Sequence, residues 1–267
     1  MRRTSLRLAF LLFLTSLSLG SLLLGGCASG FNLVSVDEEW EMGRQLEQDV
    51  ARQVDVLNDA TLTSYVNQIG QRIINQTELS NRPWRFHVVR DDAINAFNVP
   101  GGLVYVNTGL IAAADNTAEL AGVIAHEVAH GAARHGTERM TQAYGLNVAA
   151  ALLLGQDPGL GAQIAAQIAG GGAIAKFSRD DEREADVRGV RYMARAGYNP
   201  EGMATMFEKL VADRRRDPSS VEQFFSTHPL TEDRIAEARR EARKYPARGL
   251  TTNDGQFASI RARANRY

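Results

Sequence analysis

His126, Glu127 and His130 fall in the run His-Glu-Val-Ala-His, two imidazoles four positions apart with an acid beside the first. On an α-helix, positions four apart differ by about 40° in direction and about 6 Å in rise, so both rings reach one point. Two imidazoles on one face can hold a single metal ion, and Glu127 can lie beside a water and take its proton. The flanks favour a buried helix: Leu120, Val123, Ile124 and Val128 are apolar, and Gly122, Ala125 and Ala129 are small. A pair of surface histidines with a solvated glutamate does not account for such a helix. The chain has a single cysteine, Cys27, so metal chemistry must come from His, Asp and Glu.

A catalytic zinc needs a third protein ligand and one open position. His135 fails the metzincin spacing, because Ala133 and Gly136 stand where that pattern needs a glycine and a histidine. The acidic run Ser178–Asp186 offers another candidate. There Glu182 and Asp186 share a helical face, while Glu184 points about 200° away. Glu182 can ligate a metal, and Asp186, one turn on, can orient a histidine ligand. The plainer alternative is a solvated helix face.

Four motifs, in order, carry a family resemblance. They are Asn95–Gly102 closing on Thr108-Gly109-Leu110, the HEVAH run, Glu182-x-x-x-Asp186 preceded by Ser178-Arg179, and Thr227-His228-Pro229 followed by Arg234-Ile235. Together they resemble the HtpX/CAAX-prenyl-protease family of gluzincin zinc metallopeptidases, over about residues 37–242. The resemblance implies an α+β, mainly helical zincin-type domain with a small sheet whose edge strand lies beside the HExxH helix. It implies one Zn2+ per chain on His126, His130 and Glu182, with Glu127 as general base and Asp186 behind the ligands. Arg234 stands behind them too, or donates to the tetrahedral oxyanion. His228 has two readings: an oxyanion donor, or a latch that occupies the open position of the metal until it is displaced. The Asn95–Gly102 strand, through Asn95, Phe97, Asn98 and Gly101, can pair with an extended peptide through backbone hydrogen bonds, or be an ordinary hairpin. His87 and His135 read as satisfied or surface histidines, and Tyr144 and Tyr192 as cleft residues or packing.

The N-terminus reads as a targeting segment. Arg2, Arg3 and Arg7 precede an apolar stretch over 8–24, and small residues precede Cys27, the pattern of an export signal. The alternative is an uncleaved anchor, since 17 residues approach the spanning limit. Leu24-Gly25-Gly26-Cys27 resembles a bacterial lipobox, which implies a signal peptide over 1–26 and acylation of Cys27. A peptidase domain over 27–246 and a basic, polar, loosely held tail over 247–267 follow. This exported form resembles the periplasmic BepA-type branch of the family, on the periplasmic side of the outer membrane, though the chain is too short for that branch's C-terminal repeat domain.

The elements that must position the site follow from periodicity. Helices are expected over 37–55, 61–76, 117–134, 178–196, 201–216 and 231–244, and strands over 84–90 and within 94–108. Asn116 and Glu119 suggest a capping box. Residues 146–175 suggest a buried hairpin or a cover over a cleft, and 217–230 a loop. Hydrophobic residues are 44% and charged residues 23%, ample for a globular core. A net charge of −1 gives no global field for nucleic acid. The function expected is a membrane-anchored zinc endopeptidase acting on unfolded or misassembled envelope proteins. A chaperone-like or binding lipoprotein with a structural or latched zinc is the alternative, and a zinc hydrolase of non-peptide amides a third. Nothing in the sequence bears on oligomeric state.

Overall fold

The computed structural model describes residues 32, 34–145, 151, 152, 154, 159–172 and 175–267. The expected signal peptide and Cys27 lie outside the described residues, as does much of the expected cover over 146–175.

Two capped helices lead into the sheet. In α1 (Val36–Val50) Ser35 and Glu38 form a reciprocal capping box. In α2 (Ala60–Ile74) the Asp59 carboxylate accepts from the Thr61 and Leu62 amides. Three short strands follow: β1 (Arg85–Val89), β2 (Ala96–Val99) and β3 (Leu103–Asn107). Their order is β1-β3-β2, with β3 parallel to β1 and antiparallel to β2, so β2 is an edge. The β2–β3 turn runs through Gly101 and Gly102 at φ 90° and 74°, where a Cβ is strained. Helix α1 crosses this turn so closely that a Cβ on Gly43 would meet Gly101 Cα at 2.8 Å.

Beyond the sheet come α3 (Thr108–Ala113), α4 (Thr117–Ala133), α5 (His135–Tyr144), α6 (Leu160–Ala169) and α7 (Arg179–Arg195). The chain closes with α8 (Glu201–Arg216), α9 (Pro218–Thr227), α10 (Glu232–Ala242) and α11 (Phe257–Ala264). The HEVAH helix, α4, is central, packing against α2, α7, α8, β2 and β3, and every residue from Thr117 to Gly131 is buried. Strand alternation splits the core. Phe86, Val88, Ala96, Val104 and Val106 join the main core with α2 and α4. Phe97, Val99, Leu103 and Tyr105 face the other way, toward Met42, Leu46, Leu160 and Ile164 of α1 and α6. Among the described residues no helix is long and apolar enough to cross a membrane.

The expected α+β, mainly helical architecture is what the chain adopts. Two local expectations are corrected. Residues 217–230, read as a loop, hold α9: Asp217 caps Ser219, Pro218 sits in the first turn, and Val221, Phe224 and Phe225 are buried. Residues 247–267, read as a loosely held tail, fold back as α11, with Phe257, Ile260 and Ala264 on one buried stripe. The capping box at α4 is only half made. Asn116 accepts from the Glu119 amide, but the Glu119 carboxylate takes the Asp115 amide, one residue outside the cap.

Candidate metal centre

Four elements deliver the polar side chains. Helix α4 supplies His126, Glu127 and His130, all fully buried. Helix α7, opened by a Ser178–Asp181 capping box, supplies Glu182 and Asp186. His228 is the C-cap of α9, and Arg234 lies in the first turns of α10. One ligand-capable atom from each of His126, His130, Glu182 and His228 lies within 4.8 Å of the others. The Nε2 atoms of His126 and His130 are 3.1 Å apart, and His228 Nδ1 is 3.3 Å from His126 Nε2 and 2.9 Å from Glu182 Oε1. Glu182 carboxylate oxygens come within 3.6 Å of His126 Nε2 and 3.4 Å of His130 Nε2.

These contacts fit a cation. His126 Nδ1 faces Asp186 Oδ1 at 3.0 Å, an ion-pair approach off hydrogen-bond alignment. A neutral His126 therefore keeps its proton at Nδ1 and turns a lone pair inward at Nε2. Ring nitrogens with inward lone pairs, beside a buried carboxylate, need a positive charge among them. With no metal, a proton plays that part. Burial opposes a charged His126, but Asp186 and Glu182 outweigh it and push the ring up to about 9. Burial and the neighbouring His126 charge drive His130 well below the usual imidazole range. Burial also opposes charge on Glu182, but His228, His126 and His130 overcome it and hold the carboxyl well below its ordinary value. Two or three imidazoles with a carboxylate are the donor set of zinc.

Glu127 differs from Glu182. Both its oxygens are buried without a well-aligned hydrogen bond, with the Asn98 backbone beside the carboxylate and His228 Nε2 3.5 Å from Oε1. Burial dominates and raises its pKa. Arg234 serves the opposite side, donating through Nε and Nη2 to Asp186 at 2.7 and 2.8 Å and lying 2.5 Å from Glu182 through Nη1.

The remaining candidates divide. Phe97 and Asn98 of β2 line a small pocket of about 20 Å³ with Ile168, Phe177 and His228. Asn95 is buried at the start of the strand, and the Gly101 amide faces Glu39 of α1 rather than the cluster. Tyr144 accepts from Gln167, and Tyr192 donates to Glu78, so both are engaged in packing. One neighbour, Phe177, went unread in the sequence, and the other, His135, was read only as a satisfied or surface histidine. Phe177 stacks on His130 at 4.0 Å between ring centres, and no pattern marks a lone aromatic before a helix. His135 lies buried against His130, with 2.9 Å between the two Nδ1 atoms. A larger groove of about 510 Å³ between α8 and α10 is lined by none of the cluster residues.

Residues 60–242 match the model of peptidase family M48. A beta-barrel assembly-enhancing protease of Yersinia pestis is 32% identical over 246 residues, 88% of this chain and 50% of that protein. Its namesake from Escherichia coli K12 is 32% identical over 226 residues, 81% of this chain and 46% of that protein. The mitochondrial metalloendopeptidase OMA1 of Schizosaccharomyces pombe is 34% identical over 212 residues, 77% of this chain and 61% of that protein. The chain thus spans about half the length of the bacterial relatives. Matched across most of its folded length, the chain belongs to peptidase family M48.

Proposed function

We propose that this chain is a zinc metalloendopeptidase in which His126, His130 and Glu182 hold one Zn2+ and Glu127 is the general base. The observation that carries the reading is the convergence of buried nitrogen and oxygen donors beside a buried carboxylate without a well-aligned hydrogen bond. The chemistry a bound zinc supplies is polarisation of the scissile carbonyl and acidification of a water. Glu127, raised by burial, takes the water proton at a carboxylate oxygen and delivers it to the leaving amine. Asp186 orients His126, and Arg234 holds Asp186 and Glu182 in place. Strand β2 offers its edge to an extended substrate. All four residues of β2 are buried, so pairing requires the elements packed over the strand to shift. An export leader over 1–26 and an acylated Cys27 would tether the enzyme to the periplasmic face of the outer membrane. Misassembled envelope proteins are then the substrates within reach, in keeping with the names of the bacterial relatives.

His228 supports a second reading. It completes a set of four donors, and a closed tetrahedral site is the mark of structural zinc. We take His228 as a latch that holds the enzyme closed. Casein degradation by wild type, Glu127→Gln and His228→Ala tests both. The peptidase reading requires that Glu127→Gln be inactive, and the latch requires that His228→Ala be more active than wild type. Equal cleavage by wild type and Glu127→Gln, or no cleavage by zinc-loaded wild type and His228→Ala alike, overturns the peptidase reading. Cleavage by wild type that is lost in His228→Ala assigns His228 to the oxyanion instead.

A further inference from the structure

We propose that His135 is a positioning residue for His130, accepting the Nδ1–H of that ring and so fixing the tautomer that aims its Nε2 lone pair at the metal centre. The proposal rests on the zinc-site reading above.

The His130 Nε2 atom is on the cluster side, 3.1 Å from His126 Nε2 and 3.4 Å from Glu182 Oε1. Its Nδ1 atom meets His135 Nδ1 at 2.9 Å, with both rings buried. Two facing imidazole nitrogens make a hydrogen bond only when one carries the proton and the other is bare. A metal-facing Nε2 leaves the His130 proton at Nδ1, so His135 accepts. The His135 proton is then at Nε2, which faces Glu184 Oε2 at 3.7 Å, and Arg188 fixes Glu184 at 2.7 Å. Glu184, pointing away from Glu182 on the same helix, thereby gains a part in the site. The two helix histidines are backed differently: His126 by a carboxylate and Arg234, and His130 by a second imidazole.

The backbone is bent to achieve this. Continued straight, α4 would point residue 135 about 140° away from residue 130. Instead Arg134 adopts φ 64° and ψ 29°, the one non-glycine among the described residues at positive φ. Such a conformation persists where its surroundings enforce it. Arg134 Nε donates to buried Glu39 at 2.6 Å, its Nη2 donates to the Val34 carbonyl, and its own carbonyl accepts from Thr137 at 3.0 Å. A glycine would take this turn freely. An arginine anchored on three sides holds it in one place, with His135 as the next residue.

Zinc affinity, measured by competition with a chromophoric chelator on the full chain, tests the idea with a near-isosteric pair. His135→Leu removes the acceptor, whereas His135→Asn keeps a carbonyl oxygen there. Loss of a partner behind a metal-bound histidine weakens binding about 10–100-fold. We expect that loss for Leu, recovery to within about threefold of wild type for Asn, and equal thermal midpoints for the two zinc-free variants. Equal zinc affinity for wild type and His135→Leu, or equal losses for Leu and Asn, overturns the role of His135. A wild type that takes up no zinc overturns the metal centre itself. Should the Leu variant not fold, nitrogen-15 spectra of the zinc-loaded wild type decide: a proton on His130 Nδ1 and none on His135 Nδ1 is required, and a proton on His135 Nδ1 contradicts the proposal.

Discussion

At the scale of the residue, the outward-facing nitrogens and the charges behind them shape the cluster as much as the inward donors do. Arg234 is 6% exposed and compensates two buried carboxylates, Asp186 and Glu182. Arg234→Met is therefore expected to cost about 3–5 kcal/mol of zinc-free stability, read from urea unfolding, with part of the loss recovered when zinc is added. An unchanged unfolding midpoint would contradict the pairing. Glu127→Gln should keep zinc affinity and lower kcat by about 10²–10⁴-fold, the range for a lost general base. Zinc binding that fell with activity would make Glu127 a ligand instead. Helical spacing placed His126 with His130, and Glu182 with Asp186, because a period of 3.6 fixes which side chains share a direction; that the two pairs serve one centre was legible only from the family resemblance. The seat of His135 was not legible. It depends on a left-handed turn at an arginine, a conformation few sequences announce.

At the scale of the element, the end of α4 and the β2–β3 turn are clamped to α1 through one buried acid. Glu39 accepts from Arg134 Nε and Thr137 Oγ1 and faces the Gly101 amide. Burial raises its pKa, and the Arg134 guanidinium opposes that rise. Glu39→Ala leaves the cation half of the pair unpaired and should cost about 3 kcal/mol. Gly43→Ala tests the same junction sterically: its Cβ meets Gly101 Cα at 2.8 Å, so α1 must move off the turn at a cost of about 1–3 kcal/mol. Denaturant melts check both, and a neutral Gly43→Ala would mean that the approach is looser than described. Helix α9 was missed although its cues were present, Asp217 capping and Pro218 in the first turn. The Ser-Ser-Val-Glu-Gln run between them and the phenylalanines looks like loop composition. The apolar stripe of Val221, Phe224 and Phe225 outweighs it.

At the scale of the whole molecule, the C-terminal segment braces the start of the HEVAH helix. The Ala118 amide donates to the Thr252 carbonyl, and Asp254 joins Thr117 and Tyr65. Farther along, Arg263 and Tyr267 both reach Asp59, the cap of α2. Arginines spaced through α11 disguise a stripe of Phe257, Ile260 and Ala264, which explains why the segment reads as a polar tail. Burial works against charge on Asp59, but bonds from Tyr267, Arg263 and the Leu62 amide prevail and hold it down to about 2. A depressed carboxyl adds stability above its unfolded value near pH 4, and that stability is lost as the pH falls toward 2. Asp59→Asn should thus be less stable than wild type by about 1–2 kcal/mol at pH 6, with the gap closing near pH 2. A gap independent of pH would contradict the depressed carboxyl. The central claim is tested most directly by anomalous diffraction at the zinc edge from crystals of the zinc-loaded chain. One peak is expected, within about 2.0–2.2 Å of Nε2 of His126, Nε2 of His130 and a Glu182 oxygen. A cluster without a peak, or a zinc held by other residues with Glu182 out of reach, contradicts that claim.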